Sequence, residues 1–335
     1  MKASLDGSFV RIVSGGRSLY DQSGYGRPEE GGLRLAPEEA CYLLNRKRIE
    51  IAGYDFDRLF AYFARTPGFL RTFLVYRDLR ERGYAVQTGP HDFRVFRRGQ
   101  RPGSGHSQYM VRVLSERDLV DFSRMIQETR SSSDMRKQHI LAIVDDESEL
   151  TYYEIKVQPL RDAAQKAGIP ILEGMLVGIS AIIHPSLEER ECLSTFGMSL
   201  DDERLVLSPL EILYLSCQGA LALRNEKGVI STDQFFAMVS AGDPELTQKA
   251  VVYSDLRQRG FIPRTGYKFG HHFRVYSGEK LHSEMLVHAV AVEEQLPMST
   301  ISRSVRLAHS VKKKMLFAAQ DTREIQYIEF ARIKL

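Results

Sequence analysis

Tyr76-Arg77-Asp78-Leu79-Arg80-Glu81-Arg82-Gly83 is followed 177 residues later by Tyr253-Ser254-Asp255-Leu256-Arg257-Gln258-Arg259-Gly260. Self-similarity of this kind marks a repeated structural unit. The echo extends both ways. Upstream, LRLAPE at 33–38 matches LVLSP at 205–209, with Glu211 two residues on. Downstream, Phe93-Arg94-Val95-Phe96 matches Phe273-Arg274-Val275-Tyr276. His106-Ser107 matches His282-Ser283, and Lys137 matches Lys313. From Tyr76 to Lys137 the offsets stay between 176 and 180 residues, in one order. The chain is a tandem duplication.

Each copy has the same coarse anatomy. A helical part covers roughly 36–85 and 208–260. The YxDLRxRG segment reads as a helix closed by Gly83 or Gly260. Strand pairs follow by polar/apolar alternation, at 92–97 with 107–114 and at 272–277 with 283–290. A further helix leads to a last apolar strand, 140–144 or 315–319. Helix alternating with strand predicts an α/β or α+β unit with a mixed sheet. The expected division is a first repeat over 1–160, a linker over 161–172 and a second repeat over 173–335. The second repeat splits into an N-terminal part, 173–262, and a C-terminal part, 263–335.

The composition is that of an ordinary globular protein, with 43% hydrophobic and 27% charged residues. The net charge of +3 is small, but residues 301–335 hold eight Lys/Arg against three Asp/Glu. A basic terminal patch suits a polyanion and also suits a solvated helix face. Cys41, Cys192 and Cys217 are odd in number and far apart, as in reduced intracellular proteins. No cluster has zinc-finger spacing. No signal-peptide core precedes the first repeat, and the longest apolar stretch, 174–183, is too short to span a bilayer. A cytoplasmic protein without membrane association is expected. Neither GxxxxGK[ST] nor GxGxxG occurs in a strand-turn-helix setting, so no nucleotide cofactor is expected.

The second copy carries a reactive set that the first lacks. Tyr276 ends a strand, His282 follows a short loop, and Lys313 closes a helix. A phenol can take a proton from a ribose 2′-hydroxyl. An imidazole can give one to the departing 5′-oxygen, and an ammonium can offset charge on the phosphate. A strand tyrosine is usually packing. Phe96 at the matching position shows that the ring suffices for packing, so the hydroxyl of Tyr276 has another use. A lone loop histidine is usually solvated, and the recurring His-Ser pair also suits a structural role. His271 and His272 are rivals for the acid. Lys313 is flanked by Lys312 and Lys314, and a lysine triplet also suits a helix C-terminus. Val305, Ala308 and Val311 share one helix face, while Arg306, His309, Ser310 and Lys313 form a polar stripe.

YSDLRQRGFIPRTGYKFGHHFRVY, LHSEMLV and VRLAHSVKKKMLFA resemble the archaeal tRNA-splicing endonucleases (tRNA-intron endonucleases), in the homodimeric form whose subunit is a tandem repeat. The resemblance covers nearly the whole chain. It implies a metal-free, cofactor-free lyase that cuts intron-containing precursor tRNA at a bulge-helix-bulge fold. The products would be 2′,3′-cyclic phosphate and 5′-hydroxyl ends. By motif position, the family's catalytic residues fall on Tyr276, His282 and Lys313. Its two RNA-binding arginines fall on Arg306 and Arg332, which would grip a bulge base from both sides. The resemblance also implies that an acidic loop of the inactive copy docks on a catalytic copy. Asp145, Asp146, Glu147 and Glu149 fit that role. The Tyr276–His282 spacing of six residues is shorter than the family leads one to expect.

Excision needs two cuts, and one chain offers one full set. A homodimer with two active and two supporting copies is therefore expected. Two rivals stand beside this reading. Asp146 (or Asp145), Glu154 and Lys156 loosely match the Asp…Glu-x-Lys pattern of metal-dependent nucleases. The chain could also be a non-catalytic RNA-binding structural subunit on the same fold.

Overall fold

The computed structural model describes residues 1–160, 169–278, 282–321 and 324–335, without the side chain of Asp321. Most of the expected linker therefore lies outside the described residues. The chain forms two compact units, the first comprising Met1–Val157, Gln295–Val305 and Glu329–Leu335, the second Gln158–Glu294 and Arg306–Ile328. The division does not follow the single cut suggested by the sequence. Gln295–Pro297 pairs antiparallel with Leu119–Asp121, which ties this stretch of the second repeat into the first unit. The fold class is as expected, with helices alternating with mixed sheets in both repeats.

The first unit opens with a small sheet. Its strands, in spatial order, are Arg27–Glu29, Gly32–Leu35, Phe9–Ile12, Lys2–Asp6 and Glu50–Ile51. Val10, Ile12, Leu33 and Leu35 alternate inward and are buried, while Arg11 and Arg34 face outward. Helices Pro37–Asn45, Phe56–Phe63 and Phe69–Glu81 follow. A second sheet then runs through Val86–Thr88, Phe93–Phe96, Ser107–Ser115, Gln138–Val144 and Leu150–Gln158, with helix Phe122–Asp134 before its fourth strand.

The second unit repeats the plan. Its first sheet has the order Met198–Ser199, Leu205–Leu207, Ser180–Ile183, Leu172–Val177, Leu221–Asn225 and Gly228–Ile230. Helices Pro209–Cys217, Thr232–Ser240 and Leu246–Gln258 lead to strands Phe261–Thr265, Phe273–Ser277, Met285–Val290 and Lys314–Asp321. Helix Leu246–Gln258 buries Val252, Tyr253 and Leu256 against Phe273, Val275, Met285 and Val287. Both helical spans named from the sequence also contain short strands, because two-residue and hairpin strands leave too short a periodic signal.

The repeated motif has a physical explanation. Asp78 Oδ2 accepts from Tyr152 Oη at 2.6 Å and Arg82 Nε at 2.7 Å. Asp255 Oδ2 accepts likewise from Tyr327 at 2.7 Å and Arg259 at 2.8 Å. Tyr76, Leu79, Tyr253 and Leu256 fill the core. Gly83 and Gly260 take φ of 87° and 79°, the left-handed conformation that ends the helix without a Cβ penalty.

A buried glutamate braces each N-terminal part. Glu39 accepts from the Gly26 and Ala36 amides at 2.8 and 2.9 Å, and Glu211 from those of Gly197 and Ser208 at the same distances. Proline occupies the first helical position in both, where a missing N–H costs nothing.

Candidate active site

Val275, Met285 and Lys314 are matched neighbours across three adjacent strands of the second unit. Strand Phe273–Ser277 runs antiparallel to Met285–Val290, which runs parallel to Lys314–Asp321. Tyr276 follows Val275, His282 precedes Met285 by three residues, and Lys313 precedes Lys314. The topology therefore brings all three to the same end of the sheet, though they are far apart in sequence.

Local bonds fix this end. The Glu284 amide donates to Val275 O at 3.0 Å, and the Lys314 amide to Glu284 O at 3.1 Å. Lys313 Nζ donates to Ser283 O at 2.6 Å. Ser277 Oγ donates to Glu284 Oε2 at 2.6 Å, tying the end of the tyrosine strand to the residue two after His282. Lys312 adopts φ 55°, and the Lys313 amide returns to Ala308 O at 2.9 Å. That helix closure delivers Lys313 to the strand's head. It also separates the three lysines: Lys312 and Lys314 are exposed, and Lys313 is half-buried.

A cleft of about 1300 Å³ opens here, lined by His282, Ser283, Glu284, His309, Ser310 and the three lysines above Met285 and Leu316. Glu284 is the one carboxylate lining it among the described residues, so the cleft favours an anion. Tyr276 is half-buried and is not part of the lining. The Arg274 guanidinium lies 5.8 Å from its ring centroid.

The rival histidines are engaged elsewhere. His271 and His272 precede the opposite end of the tyrosine strand. His272 Nδ1 accepts from the Ala289 amide at 3.0 Å, Nε2 faces Glu245 at 3.3 Å, and the ring stacks on His288 at 4.3 Å. Burial and the neighbouring His272 push His271 down to about 4.

The first unit repeats the frame, with phenylalanine in place of the tyrosine. Val95, Tyr109 and Gln138 occupy the matching registers. Phe96 is buried, His106 is exposed and Lys137 precedes strand Gln138–Val144. Arg136 takes the same φ of 55° as Lys312.

The remaining candidates lie apart. Arg306 is exposed on helix Met298–Ser310, and Val305 and Ala308 of that helix are buried. Arg332 is exposed near the end of strand Glu324–Ile333. Asp145, Asp146, Glu147 and Glu149 form a tight turn in which Asp145 Oδ1 accepts from the Glu147 and Glu149 amides at 3.0 and 2.8 Å. Asp146 pairs with Arg117. The matching stretch 320–324 of the second copy falls partly outside the described residues.

The metal-nuclease set does not assemble. Glu154 sits opposite Ile140 in the hairpin, whereas Asp146 lies beyond Val144 in its turn. At about 3.3 Å per strand residue they stand more than ~13 Å apart. Glu154 instead pairs with Lys156 at 2.8 Å and accepts from Gln138 at 2.9 Å. The sequence reading missed the Ser277–Glu284 bond and the Glu39 and Glu211 braces. A glutamate three residues into a Pro-initiated helix was the available signal for the latter.

Comparison with known proteins agrees with this duplicated architecture. The tRNA intron endonuclease catalytic C-terminal domain matches residues 69–152 and again 246–327. The N-terminal domain of the same family matches 1–60 and 172–236. A tRNA-splicing endonuclease of Methanosarcina barkeri is 38% identical over 353 aligned residues, covering 100% of both chains. That of Methanococcoides burtonii is 36% identical over 95% of each, and that of Natronomonas pharaonis 36% identical over 99% of each.

Proposed function

The chain belongs to the tRNA intron endonuclease family, and from that membership we propose that it cuts precursor tRNA at both intron boundaries in a bulge-helix-bulge fold. The observation that carries this reading is the convergence of Tyr276, His282 and Lys313 on one sheet end, set against Phe96 in the other copy.

Tyr276 takes the proton of the ribose 2′-hydroxyl next to the scissile phosphate. The 2′-oxygen bonds to phosphorus as the bond to the 5′-oxygen breaks. His282 gives its proton to the leaving 5′-oxygen, so a 2′,3′-cyclic phosphate and a 5′-hydroxyl result. Lys313 offsets charge on the non-bridging oxygens. A phenol, an imidazole and lysines form a poor divalent-cation site, which supports chemistry without a metal. Arg306 and Arg332 hold a bulge base, and the Asp145–Glu149 turn docks on a catalytic copy in a homodimer with two active sets.

Cleavage of a short bulge-helix-bulge RNA in EDTA, with end-group identification, tests this. Two cuts leaving cyclic phosphate and 5′-hydroxyl ends are expected. Cutting only with added magnesium would overturn the mechanism, and tight binding without cutting would make the chain a supporting subunit.

A further inference from the structure

The first unit holds a group that the cleavage chemistry does not use. His91, Glu128 and His139 each direct one ligand atom into a common space, all within 4.8 Å of one another. They come from three elements: the loop before strand Phe93–Phe96, the middle of helix Phe122–Asp134, and strand Gln138–Val144. His91 has φ 63°, uncommon for a residue with a Cβ, and its ring lies 5.0 Å from that of His139.

The hydrogen bonds favour one His139 tautomer. Thr129 Oγ1 donates its one proton to Met125 O at 2.7 Å. The same oxygen lies 2.8 Å from His139 Nδ1, an arrangement that favours the tautomer with the hydrogen on Nδ1. Nε2 is then a bare lone pair. It is buried without a hydrogen-bond partner and faces Glu128 Oε2 at 3.7 Å. A buried imidazole lone pair and a half-buried carboxylate oxygen facing each other repel unless something positive lies between them.

Arg112 and Arg124 also hold Glu128, but unevenly. Oε1 accepts from Arg124 Nε at 2.9 Å and from Arg112 Nη2. Oε2 has only a longer contact, 3.3 Å, to Arg112 Nε, and a carboxylate oxygen has a second lone pair to offer. The guanidinium groups can thus orient a ligating carboxylate from outside.

We propose that His91, Glu128 and His139 form a zinc site in the supporting copy, with a fourth position left to water. Two imidazoles and one carboxylate are an ordinary zinc donor set, and donors in a tetrahedral zinc site lie about 3.4 Å apart. The ion would tie loop, helix and strand together. The second copy does not repeat the set: the aligned residues are His271, Ser304 and Met315.

Metal-stripped full-length protein titrated with zinc chloride, and separately with cobalt chloride, tests this by calorimetry, visible absorption and thermal unfolding. A single ion per chain, tetrahedral cobalt bands and a Tm rise of about 3 °C or more are expected. His91→Ala and His139→Ala abolish all three, while His106→Ala leaves them unchanged. If His139→Ala fails to fold, the half-buried His91→Ala and the wild-type titration still decide. Absence of stoichiometric binding in the wild type, or binding that survives His91→Ala, overturns the site.

Discussion

Lys313 Nζ donates to the carbonyl of Ser283 at 2.6 Å, tying the residue that ends one helix to the residue beside His282. The ammonium is therefore held over the cleft by the strand head itself. Lys313→Ala should lower single-turnover cleavage by about 10²–10³-fold, the usual cost of losing one pre-positioned charge donor. Lys312→Ala should cost less, because Lys312 is exposed and is not tied to the strand head as Lys313 is. Equal losses in both would refute the assignment of the lysine.

Tyr276→Phe reproduces the residue of the supporting copy. Cleavage should fall by about 10²–10⁴-fold with RNA affinity unchanged, as expected when proton transfer alone is removed. The converse change, Phe96→Tyr, should create no second activity, since Phe96 is buried. Cleavage and filter-binding assays on both variants check this.

The Ser277–Glu284 bond joins the end of the Tyr276 strand to the segment that begins the next strand, beside His282. Ser277→Ala and Glu284→Gln should each reduce kcat by about 10–100-fold through misplaced geometry, with KM nearly constant. A change confined to KM would mean that Glu284 acts on RNA binding instead.

His271 and His288 are pushed down to about 4 by burial first, then by neighbouring histidines. Their folded values lie below the unfolded one of about 6.5, so the unfolded chain takes up protons first. The stability they contribute is present above about pH 6.5 and is lost as pH falls toward 4. Urea midpoints should drop across that window, and His288→Gln should flatten part of the slope.

Arg264 Nη1 donates to the buried Glu211 carboxylate at 2.9 Å, whereas the equivalent Glu39 has Gln87 in place of that arginine. Burial pushes the Glu39 carboxyl up to about 7. Arg264→Gln puts Glu211 in the same situation and should cost about 3 kcal/mol of stability. A raised folded value gives stability at low pH that is lost as pH rises, so the deficit should be larger at pH 8 than at pH 5. A pH-independent deficit would point to lost packing instead.

The duplication and the mixed fold class were legible in the residues. Each rests on local patterns repeated at near-constant offset. The sequence alone could not choose between His282 and His271 or His272, or among three adjacent lysines. Those choices depend on which strand end each residue occupies, and strand direction is set by register between distant segments. Nor could it show that Gln295–Pro297 pairs within the first unit, that Asp146 and Glu154 stand apart, or that His91, Glu128 and His139 meet. Residues 11 to 48 positions apart in sequence carry no spacing signal. Only the packing of helix Phe122–Asp134 on its sheet brings them together, because side-chain burial acts through space and not along the chain.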